Sequence, residues 1–252
     1  MLEFKNADIR VGRTPILQGI SATFEKGRIT ALVGLNGSGK TTLLQSLNGL
    51  SSVTDGQIFL DGEDYLALAP GERAKRLSFF SQLRGSAPNI SVRGLVEHGR
   101  FPYMGFSRKR SPEDLDAMEK AIDFTGLSQE ADRLVSELSG GMQQRAYLAM
   151  QIAQECPYMV MDEPQNFLDL PGQRELLLLI RALKEEGKTV ILVIHDLEKA
   201  LRIADRIVVM DRRRIAGSGT PGECLESGLL QKVFDCRIHP AETEEGIRYL
   251  ID

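Results

Sequence analysis

Short apolar runs, often β-branched, recur along the chain at 29–33, 57–60, 158–161, 190–194 and 206–210, each bounded by Gly, Asp or Thr. Runs of that length with those borders predict buried strands. Between them, 41–48, 171–186 (stopped by Gly187) and 197–203 carry helical spacing, so strand and helix alternate as in a layered α/β sheet. The stretch from about 85 to 155 differs. It has helical patterns at 92–98, 112–124 and 140–154 and no buried-strand pattern, and it lacks repeats, low-complexity tracts or a flexible linker. The expected organisation is one domain over 1–252, with a core of about 1–85 and 156–252 and a mainly helical subdomain inserted at about 86–155.

Composition narrows the classes. A chain of 252 residues, 42% hydrophobic and 26% charged, can bury a large core and is not of a disordered type. Its net charge of -4, from 31 basic and 35 acidic residues, lacks the basic excess of a nucleic-acid binder, so no nucleic-acid partner is expected. Cys156, Cys224 and Cys236 form no C-x-x-C spacing and cannot all pair, which suggests reduced, buried thiols in a cytosolic protein. Residues 1–13 alternate apolar and charged positions, unlike a secretory signal. The longest apolar stretches are about five residues against the roughly twenty that span a bilayer, so a membrane role would have to come through a partner.

Three motifs carry candidate chemistry. Directly after the run 29–33 stand Gly34, Leu35, Asn36, Gly37, Ser38, Gly39, Lys40, Thr41 and Thr42, a G-x-x-x-x-G-K-[ST] match between a strand and a helix. Glycines let backbone N–H groups curl round a phosphate and the helix start faces the same place, while Lys40 reaches the terminal phosphates and Thr41 can ligate Mg²⁺. After the run 158–161 come Asp162, Glu163 and Pro164. Adjacent residues leaving a strand can serve different tasks, which assigns Asp162 to the Mg²⁺ shell and Glu163 to polarising the attacking water. Leu138, Ser139, Gly140, Gly141 and Met142 lead into a long helical run, with Ser139 in an N-cap position and two glycines open to close backbone approach, a second anion site.

Together and in this order, the motifs resemble the ATP-binding cassette family over essentially the whole chain. The resemblance implies an α/β P-loop NTPase core with the helical subdomain inserted, and an ATPase using ATP and Mg²⁺. It makes Leu138 to Met142 the signature stretch, Gln82 the glutamine that touches Mg²⁺ and senses the partner, Asp169 the D-loop aspartate and His195 the switch histidine. His195 follows the run 190–194, which puts it at the sheet edge where a γ-phosphate would sit. In this family two copies bind head to tail, so that the phosphate loop of one and Ser139, Gly140 and Gly141 of the other enclose each ATP. Three positions depart from the pattern: Met142 stands where Gln is usual, Gln165 replaces a small hydroxyl residue, and Val11 falls where an aromatic ring commonly meets adenine.

The stretch from Ile90 to Tyr103, with its Gly99-Arg100-Phe101-Pro102-Tyr103 segment, resembles the ATPase subunits of iron-siderophore, haem and vitamin B12 importers. That branch implies integral membrane permease subunits as partners, indirectly a substrate-binding protein, and a place on the cytoplasmic face of the membrane. The plainer reading of Phe101 and Tyr103 is subdomain core. A soluble cassette ATPase that remodels a protein complex, such as one for iron-sulfur cluster assembly, is the alternative function.

Overall fold

The computed structural model describes residues 1–80, 87–104, 109–166, 168–243 and 246–252. They form two compact units, Met1–Leu68 with Thr189–Asp252, and Ala69–Lys188. Beside the segment 86–155, the second unit takes in a strand pair and two helices that flank it.

The first unit opens with β1 (Leu2–Val11), β2 (Thr14–Phe24), β3 (Ile29–Gly34), α1 (Lys40–Gln45), β4 (Ser52–Leu60) and β5 (Glu63–Asp64). Strands β1, β2 and β4 are half-buried. Leu2, Phe4, Ala7, Ile9, Leu17, Ile20, Phe24, Ile58 and Leu60 turn inward while their neighbours face out, and the antiparallel order is β2-β1-β4-β5. The run at 57–60 is therefore the end of a one-faced antiparallel strand rather than part of the buried sheet. In β3 all six positions are buried, as befits a strand covered on both faces.

The second unit holds α2 (Pro70–Arg76), β6 (Leu77–Phe80), α3 (Val92–Glu97), α4 (Pro112–Phe124), α5 (Gly140–Ala153), β7 (Tyr158–Asp162) and α6 (Leu170–Glu185). Strands β6 and β7 pair in parallel, Phe80 beside Met161. Each longer helix starts on a polar cap: Ser111 and Asp114 form a reciprocal capping box on α4, Ser139 caps α5, and Asp169 caps α6. Val92, Leu95, Val96, Met118, Ala121, Ile122, Leu127, Ala146 and Ala149 share one core beneath α3, α4 and α5. Among described residues 87–155 the only β pairing is a bridge between Ser91 and Leu134.

The chain then returns to the first unit with β8 (Thr189–Val193), α7 (Leu197–Ile203), β9 (Arg206–Asp211), β10 (Arg214–Gly219), α8 (Pro221–Glu226), α9 (Leu229–Phe234), β11 (Ile238–Thr243) and β12 (Gly246–Ile251). β8 and β9 flank β3 in parallel, and β10 joins β9 antiparallel. Side chains lock the start of β3: Thr189 Oγ1 accepts from the Gly27 N–H and Asp205 Oδ2 from the Ile29 N–H, both at 2.9 Å. Cys156 and Cys224 are buried and free, and burial pushes the Cys156 thiol up to about 12. Cys236 is only half-buried, contrary to expectation, because it follows the left-handed Asp235 that ends α9. No helix of the described residues is long and apolar enough to cross a membrane.

Within the second unit, a β-carbon on Gly99 would lie 2.2 Å from the Met150 carbonyl oxygen, so only glycine admits this approach to α5. The contact carries Arg100 into the interior at 3% exposure. There its Nε donates to Asp114 Oδ1 at 2.9 Å and its Nη1 to the Ala153 carbonyl at 2.6 Å and Glu155 Oε2 at 2.7 Å. Burial works to raise the Asp114 carboxyl, but the Ser111 N–H and the Arg100 guanidinium outweigh it and hold it below the ordinary aspartate value. Arg100→Ala should therefore cost about 3–5 kcal/mol, seen as a lower urea midpoint, because it strands a buried carboxylate. A depressed carboxyl contributes its stability above its unfolded value and loses it as pH falls through the folded one. The gap between wild type and Arg100→Ala should accordingly be full at neutral pH and narrow in acid.

Candidate nucleotide site

The loop from Gly34 to Lys40 leaves the C-terminal end of β3. A β-carbon on Gly34 would stand 2.2 Å from the Met210 carbonyl oxygen, and one on Gly39, at φ 100°, would stand 2.5 Å from Leu17 Cδ2. These two glycines let the loop fold tightly over the strand ends. Lys40 is buried at 5% exposure and its ammonium donates to the carbonyls of Gly34 (2.8 Å) and Leu35 (3.2 Å), while the Ser38 N–H closes a turn onto Leu35 O at 3.1 Å. The Ser38 hydroxyl is buried inside the loop with no hydrogen-bond partner. A buried hydroxyl without a partner, an ammonium and a wall with no room for side chains form a cradle whose chemistry fits phosphate oxygens. Thr41 and Thr42 open α1, whose first bond runs from the Leu43 N–H to Gly39 O at 2.9 Å.

Val193 of β8 pairs with Leu32 of β3, so Gly34 and His195, each two residues further on, leave the sheet at the same level. His195 is exposed there, ahead of α7, whose cap is Asp196. The parallel register thus brings the phosphate loop and the histidine to one edge, as parallel sheets of this kind do for their ligands. Val11 is 44% exposed at the end of β1.

In the second unit, Asp162 closes β7 at 6% exposure and Glu163 follows with φ 52°, a left-handed conformation that costs a non-glycine residue roughly 1–2 kcal/mol. Glu163 Oε2 accepts from Asn166 Nδ2 at 2.5 Å. Among the described residues no group of three or more His, Cys, Asp or Glu could cage a metal ion. Thr41 in the first unit and Asp162 in the second each carry a hard oxygen donor of the kind that suits Mg²⁺. Gln82 lies outside the described residues.

Ser139 and Gly140 are exposed, and Gly140 has open space where a side chain would be. Ser139 Oγ accepts from the Met142 N–H at 3.4 Å, and Gly141 sits 3.6 Å, measured from an ideal β-carbon, from Leu168 Cδ2. Asp169 Oδ1 accepts from the Gly172 N–H at 3.0 Å. The Ser139 turn and the Asp169 turn are thereby neighbours in this unit. Met142 packs against the helical core, a task that glutamine's amide would serve badly, and the Gln165 oxygen is buried without a hydrogen-bond partner. The pattern search missed Asn166, whose relation to Glu163 shows only once the left-handed turn is known.

Comparison with known proteins adds to this geometry. The family model described as ABC transporter matches residues 17–166. The petrobactin import ATP-binding protein YclP of Bacillus subtilis (strain 168) is 36% identical over 249 residues, 98% of each chain. Among solved structures, a metal-chelate type ABC transporter in an inward-facing conformation superposes with a TM-score of 0.85 at 26% identity, covering 100% of this chain and 96% of that one. The dimeric bacterial ABC transporter cassette MJ0796 matches with a TM-score of 0.75 at 26% identity, over 88% of this chain and 99% of its own. Since the Lys40 ammonium pins a loop whose chemistry fits phosphate oxygens, Lys40→Ala should weaken Mg-ATP binding by about 10- to 100-fold in titration calorimetry.

Proposed function

This chain belongs to the ABC transporter family, as an ATP-hydrolysing subunit of an importer, and on that premise we propose that it energises uptake of a metal chelate through separate membrane permease subunits. The observation that carries the reading is the cradle of Gly34, Ser38, Gly39 and Lys40, level with His195 at the edge of β3 and β8. The metal-chelate cargo rests on the likeness to YclP and to the inward-facing transporter. Phe101 and Tyr103 support the membrane partner. They are 52% and 38% exposed, so they are surface residues and not subdomain core, although a tilted ring contact between His98 and Phe101 and a bond from the Tyr103 hydroxyl to Gln154 O hold them in place.

In this reading the loop residues Gly34 to Thr42 bind the phosphates, with Lys40 meeting the terminal oxygens. Thr41, Asp162 and Gln82 hold Mg²⁺, which when bound supplies charge neutralisation to the phosphates. Glu163 polarises the attacking water, and His195 contacts the γ-phosphate from the neighbouring strand. Ser139, Gly140, Gly141 and Asp169 serve a second copy of the chain, docked head to tail, so that each nucleotide is closed by two chains. Residues 86–155 act as the helical subdomain that meets the permease. Closure on ATP and release on hydrolysis make a two-state element that the permease converts into motion, with a substrate-binding protein delivering cargo outside. The chain then sits peripherally on the cytoplasmic face of the membrane. The soluble remodelling ATPase finds no support among the relatives.

Glu163→Gln should keep Mg-ATP affinity while turnover falls by about a hundred- to ten-thousandfold, a split read from calorimetry beside phosphate release. In cell fractionation the chain should sediment with membranes, come off in alkali and copurify with an integral membrane protein. Recovery wholly in the soluble fraction, with no membrane partner, would overturn the importer role.

A further inference from the structure

We propose that Asn166 is a positioning residue for hydrolysis, a neutral donor that holds the Glu163 carboxylate in one orientation. The inference rests on the reading of Glu163 as the group that polarises water. Asn166 grips Glu163 twice: its backbone N–H reaches the Glu163 carbonyl at 3.2 Å and its side-chain amide reaches Glu163 Oε2 at 2.5 Å. The turn depends on Glu163 at φ 52°, which swings this residue off the line of β7, while Asp162 still ends that strand. Two adjacent acids therefore part company at one backbone twist.

An ionised carboxylate only accepts hydrogen bonds, so the amide nitrogen of Asn166, not its oxygen, faces Glu163. A glutamate has three side-chain torsions, and an unrestrained one spreads its oxygens over many positions. Fixing Oε2 sets the plane of the carboxylate and with it the direction of Oε1 toward the water it polarises. An amide suits the task because it donates without adding charge beside Asp162.

The test is steady-state hydrolysis of Mg-ATP by the purified chain, with nucleotide affinity from calorimetry and a thermal unfolding midpoint for each variant. Asn166→Ala removes the donor, and Asn166→Asp keeps the shape while turning donor into acceptor. Both should lower kcat about tenfold or more, with KM and affinity within about twofold of wild type, and Asp should be the worse of the two. A role in shaping the turn predicts the reverse, Asp near wild type and Ala impaired, and that order overturns the inference. So does turnover within twofold of wild type for both variants beside an inactive Glu163→Gln, which leaves the role of Glu163 standing. Near-normal turnover by Glu163→Gln instead removes the role of Glu163 and the inference with it. If Asn166→Ala does not fold, the isosteric Asn166→Asp decides between the donor and the shape.

Discussion

At the C-terminal end of β3 the backbone runs so close to β9 that the Met210 carbonyl occupies the space of any side chain on Gly34. The nucleotide site follows from that contact. With no side chain to steer around, the loop curls at once, the carbonyls of Gly34 and Leu35 converge, and the Lys40 ammonium closes onto both. A buried ammonium is costly without partners, so these two bonds are what allow Lys40 to wait inside the loop. The cradle is formed by backbone and packing, and binding orders few side chains, which leaves more of the contact free energy to show as affinity.

The same economy governs the starts of α5 and α6. Ser139 and Asp169 start α5 and α6 by accepting backbone bonds at 3.4 Å and 3.0 Å, yet both remain exposed. A serine hydroxyl that accepts still has its own proton to give, so the cap that fixes the turn keeps a donor. Leu168 against Gly141 ties the two turns together.

The buried parallel strands were legible because short, mostly apolar runs there are bounded by turn residues: 158–161 and 206–210 match β7 and β9 to within a residue. Helices at 112–124 and 197–203 match α4 and α7, whose ends carry plain signals, Ser111 and Pro112 before one and Asp196 before the other. The alternating strands were harder. Residues 1–13 show period two without a continuous apolar run, and β6, four residues long directly after α2, has too few positions to declare a period. α1 ends at Gln45, three residues short of the periodic signal, because Ser46 returns its hydroxyl to Leu43 O and the turns that follow tighten. The phosphate-loop residues announced themselves by spacing, whereas Asn166 did not. A Glu-x-x-Asn spacing has no meaning until a left-handed φ at the first residue folds the fourth back upon it.

Arg100 shows why a buried charge can serve a surface. A guanidinium at 3% exposure, bonded to Asp114, Ala153 and Glu155, gains little net stability over an apolar substitute. What it contributes is direction. Its Cζ lies 4.1 Å from the Tyr103 ring centre, and the Tyr103 hydroxyl meets Gln154 O at 2.9 Å, so the ring is held on two sides although it is 38% exposed. Large aromatics left outside forgo roughly 25 cal/mol for each Å² that burial would have removed from water. Tyr103 is thus held at the surface above the charge pairing of Arg100, and a surface ordered in advance loses less freedom when a partner binds.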